Sequence, residues 1–451
     1  MHCIAHLIQR VLCVGMLLLF LAGCGSGASR PDPVKSQPTP APAEAVVEEL
    51  GNRPFPPESE PELRVRILSR SIPFEPLELG TEGQRLLLLD GIDFQARVLQ
   101  GPIRLSLDEK SAWRVLDSLN RSIEIPEPCT ISIRTLRGDP STIQVEGGTY
   151  PGALELVPIP APSGQAVTVL PERIDLVTRI EIESYLPGVL DGELYGHWPA
   201  DTFKAQAIAA RSYAVAEKAY WRDRRHFDLV AGPASQVWNG IDCSKTARDA
   251  TEATRGMVLV HDGRVVPAYY SSCCGGVPSS AVESISNRSA HEIPPLQVRL
   301  DPQPCCEAAP VRDWELSYPL SDAQRGVASF VPPDQFGDLE TLEVSTRNPV
   351  GRPLEYLLRD RTGRTVTLSA RSVRSLLTRL TPSGSDAPVS LKSEAMEPLV
   401  VDGTLVILGR GFGHGVGLCQ YGAYERALAG DSWQEIVLRY YPEAQLVRSW
   451  D

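Results

Sequence analysis

The chain lacks the features that a nucleic-acid partner or a membrane span would require. Lys and Arg total 44 against 56 Asp and Glu, a formal net charge of -12 over 451 residues. A protein that releases phosphate counterions needs a basic excess, so nucleic acid is excluded as a partner. The apolar run from Val11 to Ala22 is too short to cross a bilayer. No Lys-Ser or Lys-Thr pair follows a glycine cluster as a phosphate loop demands, and no H-E-x-x-H pattern offers paired histidines to a metal. There is no internal repeat.

What the short run does resemble is an export signal. His2, His6 and Arg10 precede it, and it ends in Leu21-Ala22-Gly23-Cys24, which resembles the bacterial lipobox. Residues 1–23 are then a lipoprotein signal peptide, and Cys24 becomes the acylated first residue. The expected location is the cell envelope, with a lipid bilayer as partner through the acyl chains. Residues 24–62 are rich in Pro, Ala, Ser and Glu, too polar to offset the entropy of ordering, and read as an extended tether.

The length exceeds what one core usually organises. From Leu63 short β-type runs (LRVRILS, RLLLLDG, SIEI, CTISIRTL) alternate with turn residues, giving a β-rich part over 63–178. Residues 179–451 form a mixed domain, and the fold class is α+β. Within it, a helix is expected from about Pro199 to Arg222, a hairpin around Asp262-Gly263, and a final helix opened by the capping box Ser432 and Glu435.

Two distant segments carry candidate chemistry. Tyr185 to Tyr213 (YLPGVLDGELYGHWPADTFKAQAIAARSY) offers Glu193 among Gly192, Leu194 and Tyr195. Apolar surroundings raise a carboxyl pKa, as a general acid near neutral pH requires. Asp191 lies two residues away and points to a different side of a helix, so one carboxylate is the better reading. The Ala-rich helix that follows presents Lys204 and Arg211 on one face, with Gln206 and Tyr213 as a second pair; a solvated polar face is the plain alternative. The other segment, Gly409 to Gly422 (GRGFGHGVGLCQYG), surrounds His414 and Gln420 with glycines that permit close backbone approach to a ligand, or a structural turn with a satisfied histidine.

Seven cysteines remain after the signal and Cys24: Cys129, Cys243, Cys273, Cys274, Cys305, Cys306 and Cys419. The doublets Cys273-Cys274 and Cys305-Cys306 admit cross-pairing as disulfides, which the exported compartment favours, or a structural zinc site with His291 between them. No cofactor is required for the chemistry read above, and Cys419 reads as a small buried residue.

These motifs resemble the SpoIID/LytB family, the stage II sporulation protein D and amidase-enhancer group of bacterial wall proteins. The resemblance rests on RIEIESYLPGVLDGELYGHWPADTFKAQAIAARSYAVA, AYYSSCCGG and LGRGFGHGVGLCQYGAYERALAGDSWQEIVLRYYPEAQL, and runs from about residue 63 onward. It implies a lytic transglycosylase that cleaves peptidoglycan glycan strands, stripped of stem peptides, with Glu193 as the catalytic residue. Lys204, Gln206, Arg211, His414, Gln420 and Tyr421 fall on motif positions implied to bind substrate. The LytB branch implies instead a glycan binder that stimulates a cell-wall amidase. The triplet Gly196-His197-Trp198 departs from the shorter link that is common in the family, and the doubled Cys273-Cys274 departs from members with one cysteine or none.

Overall fold

Alternation of apolar and polar residues from Leu63 onward decides the first layer. In the computed structural model, which describes residues 53–93, 95–108, 112–160, 171–299, 306–378 and 390–451, Leu63 and Val65 are fully buried while Arg64 and Arg66 turn outward. Their strand, Glu62–Ser71, pairs antiparallel with Pro171–Glu181, placing Leu63 opposite Ile180. A seven-stranded sheet grows from this pair, and a six-stranded sheet containing Ile103–Leu107 and Trp113–Leu116 packs its apolar residues into the same core. The signal-like run, Cys24, most of the Pro-rich stretch, Cys305 and the loop Thr381 to Pro388 lie outside the described residues.

The strand Pro171–Glu181 passes without a loop into helix α1 (Ile182–Glu193). Helix α2 (Ala200–Trp221) follows Pro199 with Asp201 in its first turn, as expected from a residue that fixes φ and a carboxylate that favours the positive end of the helix. Its alanines at 205, 207, 209, 210 and 214 are fully buried, and the absence of side-chain bulk lets neighbouring elements close on it from several sides. Helix α3 (Lys245–Ala253) is capped by the Ser244 hydroxyl, which accepts from the Ala247 N–H. The expected hairpin forms, with Asp262 and Gly263 both at positive φ between Met257–His261 and Arg264–Val265.

The remaining helices are α4 (Ala281–Ser284), α5 (Leu320–Ala328), α6 (Ala370–Thr378), α7 (Gln420–Leu428) and α8 (Trp433–Tyr440). The Ser432 and Glu435 capping box is present at α8. The architecture is α+β. Two three-stranded sheets with α5 and α6 enclose a second, smaller core around Tyr318, Tyr356 and Ile407. One of its strands, Thr404–Arg410, leads straight into the glycine-rich loop, so this unit sets where the loop begins. No helix among the described residues is long and apolar enough to cross a membrane.

Candidate active site

Glu193 is the last residue of α1, and its position depends on two glycines four residues apart on that helix. A Cβ at Gly188 would collide with the Gly240 carbonyl and the Trp238 ring, and one at Gly192 would sit 2.5 Å from the Val237 oxygen. Without side chains there, the segment through Val237 lies directly on the helix. The Val237 N–H consequently donates to Glu193 Oε1 at 2.8 Å.

Two other elements complete the carboxylate's surroundings. The Tyr270 hydroxyl lies 3.4 Å from the same Oε1, and itself accepts from Gln236 Nε2 at 3.1 Å, which leaves its proton directed to Glu193. Gln420, the first residue of α7, donates from Nε2 to Oε2 at 3.2 Å. Burial pushes the Glu193 carboxyl above the usual carboxylate range, and the hydrogen bonds from Val237, Gln420 and Tyr270 only partly oppose it. Asp191 is turned away, its oxygens both accepting from Ser244. Glu193 therefore has no carboxylate partner in Asp191.

Beside the acid stands a group of aromatic rings. Trp198 lies 5.1 Å from Tyr421 and 4.8 Å from Tyr424 between ring centroids, and Tyr195 lies 5.4 Å from Trp198 and 6.3 Å from Tyr421. Trp198 and Tyr421 are buried, whereas Tyr195 is 56% exposed. Rings held in this way offer an apolar face near the Glu193 carboxyl. Burial, followed by the Tyr195 hydroxyl, pushes the Tyr421 phenol up to about 12, so it stays neutral at ordinary pH.

The other expected site residues divide between the site and the scaffold. Lys204 is half-buried and pairs with Asp201 at 3.2 Å. Gln206 is fully buried, with no hydrogen-bond partner for either amide atom among the described residues. Arg211 is a correction to the expected groove wall: it is fully buried and grips Glu183 in a bidentate pair at 2.9 and 2.7 Å. Glu183 Oε1 also accepts from the Gly256 N–H and Trp450 Nε1, each at 3.0 Å. The spacing that put Arg211 on a face with Lys204 did not tell what covers that face.

His414 likewise serves the loop. Its Nδ1 accepts from the Val416 N–H at 3.0 Å and its ring bonds the Tyr270 backbone. Burial and then the Arg352 charge push it down to about 4, so the ring is neutral. Around it, Gly411 and Gly417 take positive φ where a Cβ would strike the Cys273 and Tyr269 carbonyls, which holds the loop against the strand bearing Tyr270. His291 is a second correction: its ring nitrogens meet the Tyr269 hydroxyl at 2.9 Å and the Ser286 carbonyl at 2.8 Å. Cys273, Cys306 and Cys419 are brought together, whereas Cys274 touches the group through Cys306.

Residues that sequence reasoning did not single out include Val237, Gln236 and Tyr270. Gly188 and Gly192 at helical spacing were the available signal for the first two, because adjacent glycines on one face announce a close backbone neighbour.

Comparison with known proteins finds similarity over part of this chain. The family model described as "Stage II sporulation protein" (SpoIID) matches residues 171–261, the span from the strand before α1 to the hairpin. The amidase enhancer of Bacillus subtilis is 26% identical over 291 residues, covering 58% of this chain and 40% of that protein. Stage II sporulation protein D of Bacillus amyloliquefaciens is 26% identical over 282 residues, covering 59% and 74%. An uncharacterised protein of Brachyspira hyodysenteriae is 28% identical over 274 residues, covering 60% and 68%.

Proposed function

We propose that this chain, a member of the SpoIID/LytB family, acts on bacterial cell-wall peptidoglycan as a lytic transglycosylase of the glycan strand. The observation that carries the proposal is the half-buried Glu193 with its raised carboxyl pKa, held by Val237, Tyr270 and Gln420 beside the rings of Tyr195 and Trp198.

Burial keeps the carboxyl protonated further toward neutral pH, which a general acid requires. Oε1 already accepts from Val237 and Tyr270, whereas Oε2 accepts from Gln420 alone. The reacting proton therefore sits on Oε2, where a lone-pair position remains. It passes to the oxygen of the glycosidic bond between N-acetylmuramic acid and N-acetylglucosamine as the C1–O bond breaks. The muramic C6 hydroxyl then forms the new bond to C1 and returns its proton to the carboxylate. The product is a 1,6-anhydro ring and Glu193 ends as it began. An internal nucleophile removes the need for the second carboxylate that hydrolases place across the bond. Asp191, committed to Ser244, is consistent with that economy.

Purified protein incubated with peptide-stripped glycan strands should release fragments ending in 1,6-anhydromuramic acid, detectable by mass spectrometry. Reducing ends in place of anhydro ends would make the enzyme a hydrolase instead. Acylation at Cys24 would hold the enzyme to a membrane, and loss of membrane association on Cys24→Ala would test that part.

The similarity to an amidase enhancer favours a second reading, in which the aromatic group binds glycan and a separate amidase does the cutting. Under it, glycan is retained without cleavage and amidase turnover rises when the protein is added.

A further inference from the structure

Cys306 is the centre of a buried group of sulfur atoms that includes Cys419 of the glycine-rich loop. The Sγ atoms of Cys273, Cys306 and Cys419 all lie within 4.8 Å of one another, and Cys274 Sγ lies 3.7 Å from Cys306 Sγ. All four residues are at most 1% exposed. Sulfurs about 2.3 Å from a tetrahedral zinc stand roughly 3.8 Å apart, so small side-chain adjustments bring this group to ligand spacing. We propose that Cys273, Cys306 and Cys419 bind one zinc ion, with Cys274 next to hand as the fourth sulfur.

Two features of the surroundings supply hydrogen-bond donors to the sulfur atoms. Cys419 is the N-cap of α7, and its sulfur accepts from the Gly422 and Cys274 N–H groups, each at 3.4 Å. Helix N-termini and backbone donors stabilise sulfur anions. Cys273 also receives a backbone hydrogen bond from Gly275, which opposes the upward push of the Cys306 sulfur and of burial on its thiol; Gly275 and Gly276 turn the chain at positive φ immediately after the doublet.

The location gives the ion a task. Cys273 follows Tyr270 by three residues, and Cys419 immediately precedes Gln420, so the ligands sit on the two chain segments that bring Tyr270 and Gln420 to Glu193. The parallel pairing of Tyr270 with Leu418 and Ser271 with Cys419 spans only two residues, a short join for such a junction. Zinc would clamp it, and Cys306 would anchor a third segment there.

The proposal stands whether Glu193 cleaves glycan or the chain only binds it, because its test reads metal and not turnover. The full folded chain, reduced with a phosphine, is titrated with cobalt(II) and with zinc(II), and metal content is measured after dialysis. One metal per chain with thiolate-to-cobalt charge-transfer absorption is expected, along with a melting temperature that falls on chelation. Cys306→Ser and Cys419→Ser should each abolish the charge-transfer band, whereas Cys129→Ser should leave metal content at one. Reduced wild-type protein that gives no such band overturns the proposal, as does a band that survives Cys306→Ser. A native chain that is metal-free and two hydrogens lighter, from a disulfide between Cys274 and Cys306, would overturn it in favour of oxidation.

Discussion

Gln420 Nε2 lies 3.2 Å from Glu193 Oε2, joining residues 227 positions apart in sequence. The contact exists because α7 begins at Gln420, directly after the short parallel pairing of Leu418–Cys419 with Tyr270–Ser271. The same pairing delivers Tyr270 to the other carboxylate oxygen. One junction thus supplies two of the three donors to Glu193.

Glu193→Gln should remove a titrating group that burial has shifted upward. A folded-state pKa above the unfolded value means that the wild type is fully stabilised at pH below the unfolded pKa and loses stability as pH rises through the folded one. The glutamine variant does not titrate there. Its melting temperature relative to wild type should therefore rise as pH increases above the unfolded carboxyl value of about 4, while cleavage falls at least ~100-fold. Equal pH dependence in the two proteins would contradict the burial argument.

Tyr270→Phe deletes a donor that opposes the upward shift of Glu193. The carboxyl should then stay protonated to higher pH. In a pH–rate profile the limb governed by the acid, where activity falls with rising pH, should move to higher pH in the variant. The maximum rate should drop roughly fivefold, because a neutral hydrogen bond contributes about 1 kcal/mol to positioning. A limb that moves to lower pH would place the hydroxyl in another role.

Arg211→Ala should act on the fold and not on glycan. It leaves Glu183 buried and facing only the Gly256 N–H and Trp450 Nε1. Removing one partner of such a pair costs about 3–5 kcal/mol. Denaturant unfolding should report that loss, with glycan affinity per folded molecule unchanged. A selective loss of glycan affinity with normal stability would return Arg211 to the groove.

Tyr195 is the exposed member of the aromatic group, so Tyr195→Ala should weaken binding of glycan oligosaccharides with little effect on stability. Loss of ring contact on the order of 1 kcal/mol corresponds to about fivefold in affinity. Calorimetric titration with the variant measures it directly.

The elements of this fold were legible where local chemistry decides them. Pro199 and Asp201 open α2, Asp262-Gly263 turns the hairpin, and Ser432 with Glu435 caps α8. The pair Glu193 and Gln420 was legible as two motifs, although not as a hydrogen bond. Arg211 and His414 read as polar heads because residue type and spacing report a face, and only packing reveals that Glu183 and the Val416 backbone already occupy them. Cys419 read as inert for the same reason: nothing near it in sequence announces Cys273 and Cys306. The separate core around Tyr356 and Ile407 was hidden because its two sheets are joined only in space.

Gly192→Ala tests the backbone approach on which the acid's position rests. The added Cβ would lie 2.5 Å from the Val237 oxygen, and a contact that close to backbone must be relieved by moving one segment. Overpacking of this kind costs about 1–3 kcal/mol. The segment that yields carries the Val237 N–H, now 2.8 Å from Glu193 Oε1. Losing that donor raises the carboxyl pKa further and frees the side chain to turn. Cleavage should therefore fall more than the stability loss alone predicts, with the acid limb of the rate profile displaced upward as in Tyr270→Phe. Gly196→Ala is the matched control, because a Cβ there meets nothing within 4 Å. If both variants cleaved glycan equally well, the close approach of Val237 would be a packing feature with no hold on Glu193.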